Sequence, residues 1–247
     1  NHDYGFKHAE DEHTFFPQYF TSERQGKVLL DCLVAEHPNR EGRASLENAA
    51  FEFELPGWSR RILVITSEFA PSDAAVEWAG NLCLSDTFKD HVVIYITHSY
   101  MKCDGKCQNA RCTTEKYGLT QKAGNNSGEQ LWDKLISKVP NIRLVVCGHH
   151  GHGLDKNGND VYEWNTGWRV DLNDAGNEVG QMMFNVQTLG GGWEGNGGDG
   201  WLRILEFMPD GKTIKVRTYS TLFGVSRQTK HLAHRTGKLD QFEFVIE

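Results

Sequence analysis

Short apolar runs alternate with amphipathic stretches along this chain, and each kind of run predicts one kind of element. Val92–Ile96 is an uninterrupted apolar run rich in β-branched residues, which is typical of a strand covered on both faces. Ile142–Val146 predicts another buried strand, and Arg61–Ile65 a third. Ala50–Leu55 alternates apolar with charged residues, so it predicts a strand with one buried face.

Two amphipathic helices separate the buried strands. The segment Pro71–Asp73 predicts a helix start, because proline suits the first turn and acidic groups favour that end, so we expect a helix over 71–83. Apolar residues recur at helical spacing within Leu131–Val139, and Pro140 ends that pattern. Strand, helix, strand, helix, strand is the order of a layered α/β sheet.

The second part of the chain, from about residue 158, is rich in predicted strands instead. We expect an α/β half over 1–157 and a β-rich half over 158–247 that forms a second sheet packed on the first. Turns containing Gly, Asn and Asp separate the predicted strands of this half, which are Val161–Val170, Glu178–Leu189, Trp201–Phe207 and Thr213–Tyr219.

Composition narrows the functional classes. The chain has 247 residues, of which 38% are hydrophobic, and no apolar run approaches the length of about 20 residues that a membrane span needs. A formal net charge of -7 argues against a nucleic-acid-binding protein, which needs a basic face. An anionic substrate therefore requires a local positive centre, which a bound divalent metal ion can supply.

The cysteines and the first residue bear on localisation. Cys103, Cys107 and Cys112 form a tight group whose spacing matches no standard zinc motif, so a disulfide or free thiols are expected. Together with the glycosylation sequon Asn125–Ser127, they favour a secreted or extracellular protein. The chain begins at Asn1 without an initiator methionine or a signal segment, which predicts a fragment or a processed form.

Two histidines directly follow the two neighbouring buried strands. His98 comes after Val92–Ile96, and His149 comes after Ile142–Val146. The carboxyl ends of such strands are where ligands gather in α/β sheets, so both imidazoles can converge on one metal ion. The alternative is that each is a loop histidine satisfied by hydrogen bonds. We expect the histidines in polar contexts, His91 among them, to lie on solvated surface.

Three motifs resemble, in the right order, those of the calcineurin-like metallophosphoesterase superfamily. Asn1–Tyr4 resembles the family's Gly-Asn-His-Asp motif, Thr97–Ser99 its single-histidine motif, and Gly148–His149 its Gly-His motif. The resemblance covers most of the chain, from Asn1 to about Tyr219. It implies a phosphoesterase domain over 1–247, built as a two-sheet α/β sandwich flanked by helices, with its N-terminal strands missing.

The resemblance also implies roles for individual residues. Asn1, His98 and His149 are the metal ligands that it implies, a mixed N/O set suited to Zn, Mn or Fe, with two divalent ions in the intact enzyme. His2 is then the acid that protonates the departing alkoxide, and Asp3 holds its ring in the useful tautomer. The implied function is hydrolysis of small phosphate mono- or diesters by metal-bound hydroxide.

Two departures from the family pattern matter. The family's Asp-x-His and Gly-Asp-x-x-Asp motifs, which supply one metal site and a bridging carboxylate, do not occur in this sequence, and we expect them before Asn1. The fragment alone is therefore predicted to be inactive. The family also has a second histidine two positions after His149, where this chain has Gly151. Whether His150 or His152 replaces that histidine stays open.

Two alternatives remain at this stage. One is a secreted, β-rich binding module with incidental histidines, for which His98 and His149 should lie far apart. The other is an inactive phosphoesterase-like protein that binds a ligand without cleaving it. A capping role for Glu68 and Asp73, which have the spacing of a helix-capping pair, is preferred to a catalytic one. The sequence predicts neither the substrate-binding residues nor the oligomeric state.

Overall fold

The computed structural model of the chain describes residues 2–5, 9, 11–25, 27–102, 110–113, 118–151, 157, 165–190 and 197–246. The α-helices of this part are α1 Phe16–Tyr19, α2 Lys27–Cys32, α3 Asp73–Leu84, α4 Gly128–Leu131 and α5 Thr221–Gly224. Among the described residues, no helix has both the length and the apolar character needed to cross a bilayer.

Thirteen strands are assigned within the described ranges. In chain order they are β1 Leu33–Glu36, β2 Ala49–Phe53, β3 Ile62–Thr66, β4 Val92–Ile96, β5 Met101–Lys102, β6 Ala110–Arg111, β7 Ile142–Cys147, β8 Thr166–Leu172, β9 Glu178–Phe184, β10 Trp201–Phe207, β11 Thr213–Ser220, β12 His234–Arg235 and β13 Phe242–Val245. β5 and β6 form a small antiparallel pair of their own.

A large mixed sheet forms the centre of the molecule. Its described strands have the order β1-β2-β3-β4-β7-β9-β8. β3, β4, β7 and β9 run parallel to one another, whereas β1, β2 and β8 pair antiparallel at the two sides. The carboxyl ends of four neighbouring strands therefore meet at one edge of the sheet.

A smaller antiparallel sheet covers part of one face of the large sheet. In it β11 pairs with β10, β12 and β13. Ile62, Ile94 and Leu144 of the large sheet pack with Ile214 of the small sheet in an apolar core between the two. The Trp58 indole also donates a 2.8 Å hydrogen bond to the carbonyl of Met208. The two sheets are thereby tied together by apolar packing and by a specific hydrogen bond.

Helices α3 and α4 cover the opposite face of the large sheet. Leu63 and Tyr95 of the sheet share a buried core with Ala79 of α3 and Leu131 of α4. Burial on both faces explains why the central strands are continuous apolar runs. The described part is thus an α/β fold with a large mixed sheet, a smaller sheet and few helices.

Several predicted elements are confirmed at their positions. β4 has the predicted bounds, and α3 begins at Asp73 after the N-cap residue Ser72, whose hydroxyl accepts a hydrogen bond from the Ala75 amide. The second predicted helix is only in part α-helical. It starts at α4 behind a capping box formed by Ser127 and Gln130, and continues as a π-helical segment.

The expectation that the β-rich half forms its own sheet is wrong for its first two strands. β8 and β9 join the large sheet, where β9 pairs parallel with β7 and β8 returns antiparallel beside it. The reason is burial, because nearly all of β9 is shielded from solvent and such a strand needs cover on both faces. At Gly180, a Cβ atom would come within 2.5 Å of the Trp168 ring, so glycine permits this packing.

Candidate metal centre

Parallel pairing of β4 and β7 brings His98 and His149 together. The Thr97 amide donates to the Val146 carbonyl at 3.1 Å, and the Gly148 amide donates to the His98 carbonyl at 3.0 Å. These bonds extend the pairing of the strands into the loops that follow. His98 Nε2 and His149 Nδ1 lie 3.1 Å apart, with ring centroids separated by 4.8 Å.

The geometry of this pair fits two positions in a metal coordination shell. At 3.1 Å, one imidazole can donate a hydrogen bond to the other when the two rings hold complementary tautomers. Two nitrogens bound to one zinc ion at about 2.1 Å lie roughly 3.4 Å apart in tetrahedral coordination. The observed separation differs from that value by only a few tenths of an ångström, and sharing one ion also requires the rings to turn so that both nitrogens point at it.

Further donors are needed to complete such a shell. Within the described ranges, no group of three or more His, Cys, Asp or Glu side chains is arranged to hold a metal ion. Asn1, the third ligand that the family resemblance implies, lies outside the described residues. Two imidazoles plus an amide oxygen are donors that suit Zn, Mn or Fe.

Phe69 connects the N-terminal segment to the histidine pair. Its ring centroid lies 5.6 Å from that of His98 and 5.7 Å from that of His149. On its other side it lies 6.1 Å from the ring of Tyr4. Tyr4 is buried and donates a short hydrogen bond to Glu47, and burial, together with that carboxylate, raises the pKa of Tyr4 far above its ordinary value. The residue that follows Asp3 is therefore anchored beside the pair.

His2 and Asp3 are both exposed at this N-terminal segment. Asp3 Oδ2 accepts hydrogen bonds from the Thr14 hydroxyl and, at 2.9 Å, from the amide of Phe16 at the start of α1. Asp3 is thus fixed by the first residue of α1 and by Thr14, two positions before the helix. Its predicted contact with the ring of His2 stays a prediction.

At the position of the family's second histidine, any side chain would have to displace a neighbouring asparagine. A Cβ atom at Gly151 would overlap with Oδ1 of the Asn165 side chain and would lie 3.2 Å from Asn185 Nδ2. The Asn185 amide in turn donates a 2.7 Å hydrogen bond to the carbonyl of His149. Two asparagines therefore occupy the space that a side chain at this position would need. His152 lies outside the described residues.

His150 makes a separate set of contacts. Its Nε2 lies 3.2 Å from Ser99 Oγ and 3.0 Å from Cys112 Sγ, and both partners are buried. His149 has a φ of 62°, a left-handed conformation that is uncommon for a residue with a side chain. The rings of His149 and His150 are inclined by 80° and face different partners. The contact with Cys112 depends on tertiary structure, and the sequence carries no signal for it.

Glu68 follows β3 at the same sheet edge, but its contacts are structural. Its Oε1 accepts hydrogen bonds from the hydroxyl of Ser72, at 2.9 Å, and from the Ser72 amide. Its Oε2 pairs with Arg40 Nε at 3.3 Å. The Asp73 carboxylate accepts hydrogen bonds from the Lys134 ammonium and from the side-chain amide of Asn126. The predicted capping pair is therefore wrong in detail, because Ser72 is the N-cap of α3, Asp73 is the first helical residue and Glu68 holds Ser72 in place.

Comparisons with known proteins give one distant relative. No protein-family model matches the chain. The uncharacterized protein YvnB of Bacillus subtilis (strain 168) is 22% identical over 254 residues, a similarity that covers 100% of this chain. The same match covers 16% of YvnB, so the chain spans a minor part of the length of that relative.

Proposed function

We propose that this chain is part of a metal-dependent phosphoesterase, which hydrolyses phosphate mono- or diesters in the intact, longer protein. The observation that carries the proposal is the 3.1 Å approach of His98 Nε2 and His149 Nδ1 at the carboxyl ends of two parallel strands. The family resemblance predicts that these two residues, 51 positions apart, share an ion.

The arrangement argues against a binding module with incidental histidines. That alternative expects His98 and His149 to lie far apart, whereas their rings are in contact. Phe69 touches both rings and also packs against Tyr4, which directly follows Asp3 of the first family motif. The histidines of the second and third motifs and the residue that follows the first motif therefore lie around one phenylalanine, which supports a common site.

The proposed roles follow from this placement. His98 and His149, together with Asn1, hold a divalent ion through neutral donors. When bound, such an ion supplies positive charge for the phosphoryl oxygens and lowers the pKa of a coordinated water. His2 is exposed and can give a proton to the leaving alkoxide, while Asp3 is held in place by Thr14 and Phe16.

Metal titration of the chain tests the proposal. We expect Zn and Mn binding that weakens at acid pH, because the imidazoles must be neutral to coordinate. His98→Gln and His149→Gln should each weaken binding by about tenfold or more, since each removes one donor. His231→Gln is the matched control, because His231 is exposed and lies outside the pair, and it should leave the affinity unchanged. Isothermal titration calorimetry measures all four proteins.

Equal metal affinity in the parent chain and in both pair variants would refute the site.

A second candidate function is supported by one observation, the side-chain contacts around Gly151. Because this chain has glycine where the family has a ligand, and Asn165 fills the space beside it, a phosphoesterase-like protein that binds ions and esters without turnover is the other function to test. Activity of the longer protein separates the two.

A further inference from the structure

A pocket of about 360 Å³ lies where the small sheet meets the end of β8. Its lining consists of Thr166, the first residue of β8, and the segment Arg235–Asp240, which links β12 towards β13. The volume lies at the lower end of the range of about 300–1,000 Å³ that small-molecule sites occupy. The pocket can therefore take a small ligand or one end of a larger one.

The lining carries more positive than negative charge. Arg235 and Lys238 are its two cations, and Asp240 is its one anion, 3.6 Å from Arg235 Nε. A third cation, Arg203, lies behind the loop, where its guanidinium donates to the Leu239 carbonyl. The charge is notable because the whole chain has a net charge of -7. A pocket whose described lining is positively charged, on an otherwise acidic protein, favours an anionic ligand.

Thr166 points to the same kind of ligand. It is 0% exposed and lines the pocket, and its hydroxyl has no hydrogen-bond partner among the described residues. Buried hydroxyls are almost always hydrogen-bonded in native proteins, so this one calls for a partner. The hydroxyl, the guanidinium of Arg235 and the ammonium of Lys238 are all donors, and an oxyanion is the ligand that can accept from all three.

The loop that carries the cations is held in a defined shape. The amides of Asp240 and Gln241 donate to the Gly237 carbonyl at 2.8 Å and 3.0 Å, and the Thr218 hydroxyl donates to the Asp240 carbonyl at 3.0 Å. The guanidinium of Arg235 lies 5.4 Å from the centre of the Trp201 ring. These contacts reduce the ordering that a ligand would have to impose, which favours binding.

The pocket is linked to the histidine pair through two asparagines. Thr166 follows Asn165, whose carbonyl accepts a 2.8 Å hydrogen bond from the Asn185 amide. The side chain of Asn185 donates to the His149 carbonyl. Thr166 also pairs with Phe184, at the carboxyl end of β9. The pocket thus adjoins the edge of the large sheet where the candidate metal centre lies.

We propose that this pocket is a binding site for a small oxyanion with the chemistry of a phosphate group, held by Arg235, Lys238 and the Thr166 hydroxyl. The group has two sources, free phosphate or an anionic group of a phosphate ester. Phosphate binding at this site does not require a metal ion, so the proposal is tested independently of the proposed phosphoesterase function.

The test measures binding of inorganic phosphate to the chain in the presence of EDTA, which removes any metal-dependent binding. Lys238→Gln should weaken phosphate binding by about tenfold, because a charge-assisted hydrogen bond is lost. Lys238 is exposed, so this change should not affect folding. Lys212→Gln is the matched control, because Lys212 is exposed at the far end of β11 from the pocket, and it should bind phosphate like the parent chain.

Thr166→Val provides a second readout that a purely structural role would not produce. It should weaken phosphate binding several-fold without lowering the melting temperature, because the hydroxyl that it removes has no partner in the fold. Absence of phosphate binding, or equal affinity in all four proteins, would overturn the proposal. Methyl phosphate distinguishes the sources: tighter binding than phosphate assigns the pocket to an ester group, and weaker binding assigns it to free phosphate.

Discussion

Asp171, on β8 of the large sheet, is the side chain on which two arginines converge, Arg169 of β8 and Arg111 of the separate strand β6. Its Oδ2 lies 2.7 Å from Arg111 Nη1 and 2.7 Å from Arg169 Nε, and it also accepts from Gln181 at 2.7 Å. Burial by itself raises the pKa of this carboxyl, but the hydrogen bonds from Arg169 and Gln181 and the nearby guanidinium charges outweigh burial and lower the pKa. The Arg111 guanidinium also stacks 4.1 Å from the ring of Trp132. Asp171 thereby links β8 and β9 to the π-helical segment.

Replacing Asp171 by Asn should lower the free energy of unfolding at pH 7 by about 1–3 kcal/mol, because charge-assisted hydrogen bonds to two arginines are lost. The folded-state pKa of Asp171 lies below its ordinary value of 3.8, so its contribution is present above that pH and is lost as the pH falls through the lowered pKa. The difference between the two proteins should therefore shrink below about pH 4 in urea unfolding experiments. Asp174→Asn, which removes an exposed pair with Lys138, should cost about 0–1 kcal/mol.

His91 shows why single residues are hard to assign from sequence. We predicted a solvated surface position from its polar neighbours, but the side chain is buried and its Nε2 lies 2.7 Å from Glu52 Oε1. Glu52 belongs to β2, and because β3 and α3 lie between it and His91 along the chain, the two partners are 39 positions apart in sequence. The hydrogen bond from His91 is the main reason that the pKa of Glu52 is lowered.

At the scale of elements, the loop after β7 determines which groups can reach the candidate metal centre. Gly151→Ala should lower the free energy of unfolding by about 1–3 kcal/mol, because the new methyl group overlaps with Asn165. Gly151→His should not raise metal affinity, since the ring cannot occupy the position without displacing the asparagines. Thermal unfolding and metal titration measure the two effects.

Gly80→Ala is the control for this prediction. Gly80 lies inside α3, and a Cβ atom there would meet Leu135 at an ordinary distance of 3.4 Å. Because alanine favours helix over glycine by up to about 1 kcal/mol, this variant should be as stable as the parent or more stable. A gain in metal affinity for Gly151→His would show that the loop can rearrange and would contradict the steric conflict at Gly151.

The elements with a strong local pattern were the ones predicted well. β4 follows from an apolar run, and α3 from a proline with an acidic neighbour at its start, signals that lie within or directly beside the segments themselves. The sheet to which β8 and β9 belong was not predictable in this way, because strand patterns report burial but not the neighbour that provides it. The π-helical turn of Trp132–Ile136 also has no signal in the apolar spacing.

At the scale of the whole molecule, the proposed activity requires more ligands than the described residues offer. The described residues offer two imidazoles but no bridging carboxylate beside them, and neutral donors alone hold divalent ions weakly. With Mn or Zn added, this chain should therefore hydrolyse p-nitrophenyl phosphate and bis(p-nitrophenyl) phosphate little or not at all. A version extended upstream should hydrolyse at least one of them.

Release of p-nitrophenol measures both proteins under the same conditions. Strong turnover by the chain alone would contradict the incomplete site. An extended protein that binds metal through His98 and His149 and yet cleaves neither ester would favour the inactive, phosphoesterase-like alternative. His98→Gln in the extended protein separates metal-dependent turnover from contaminating activity.

The sequence by itself indicated the strands with strong apolar patterns, such as β4, the helix α3 and the positions of the two histidines directly after buried strands, because these depend on residues close together in the chain. Only the tertiary structure decided that the histidine rings touch, that Asn165 packs against Gly151 and that Thr166 lines one pocket with Arg235 and Lys238. Those contacts follow from strand order and register. Both are set by packing between segments that are distant in sequence, so no local pattern specifies them.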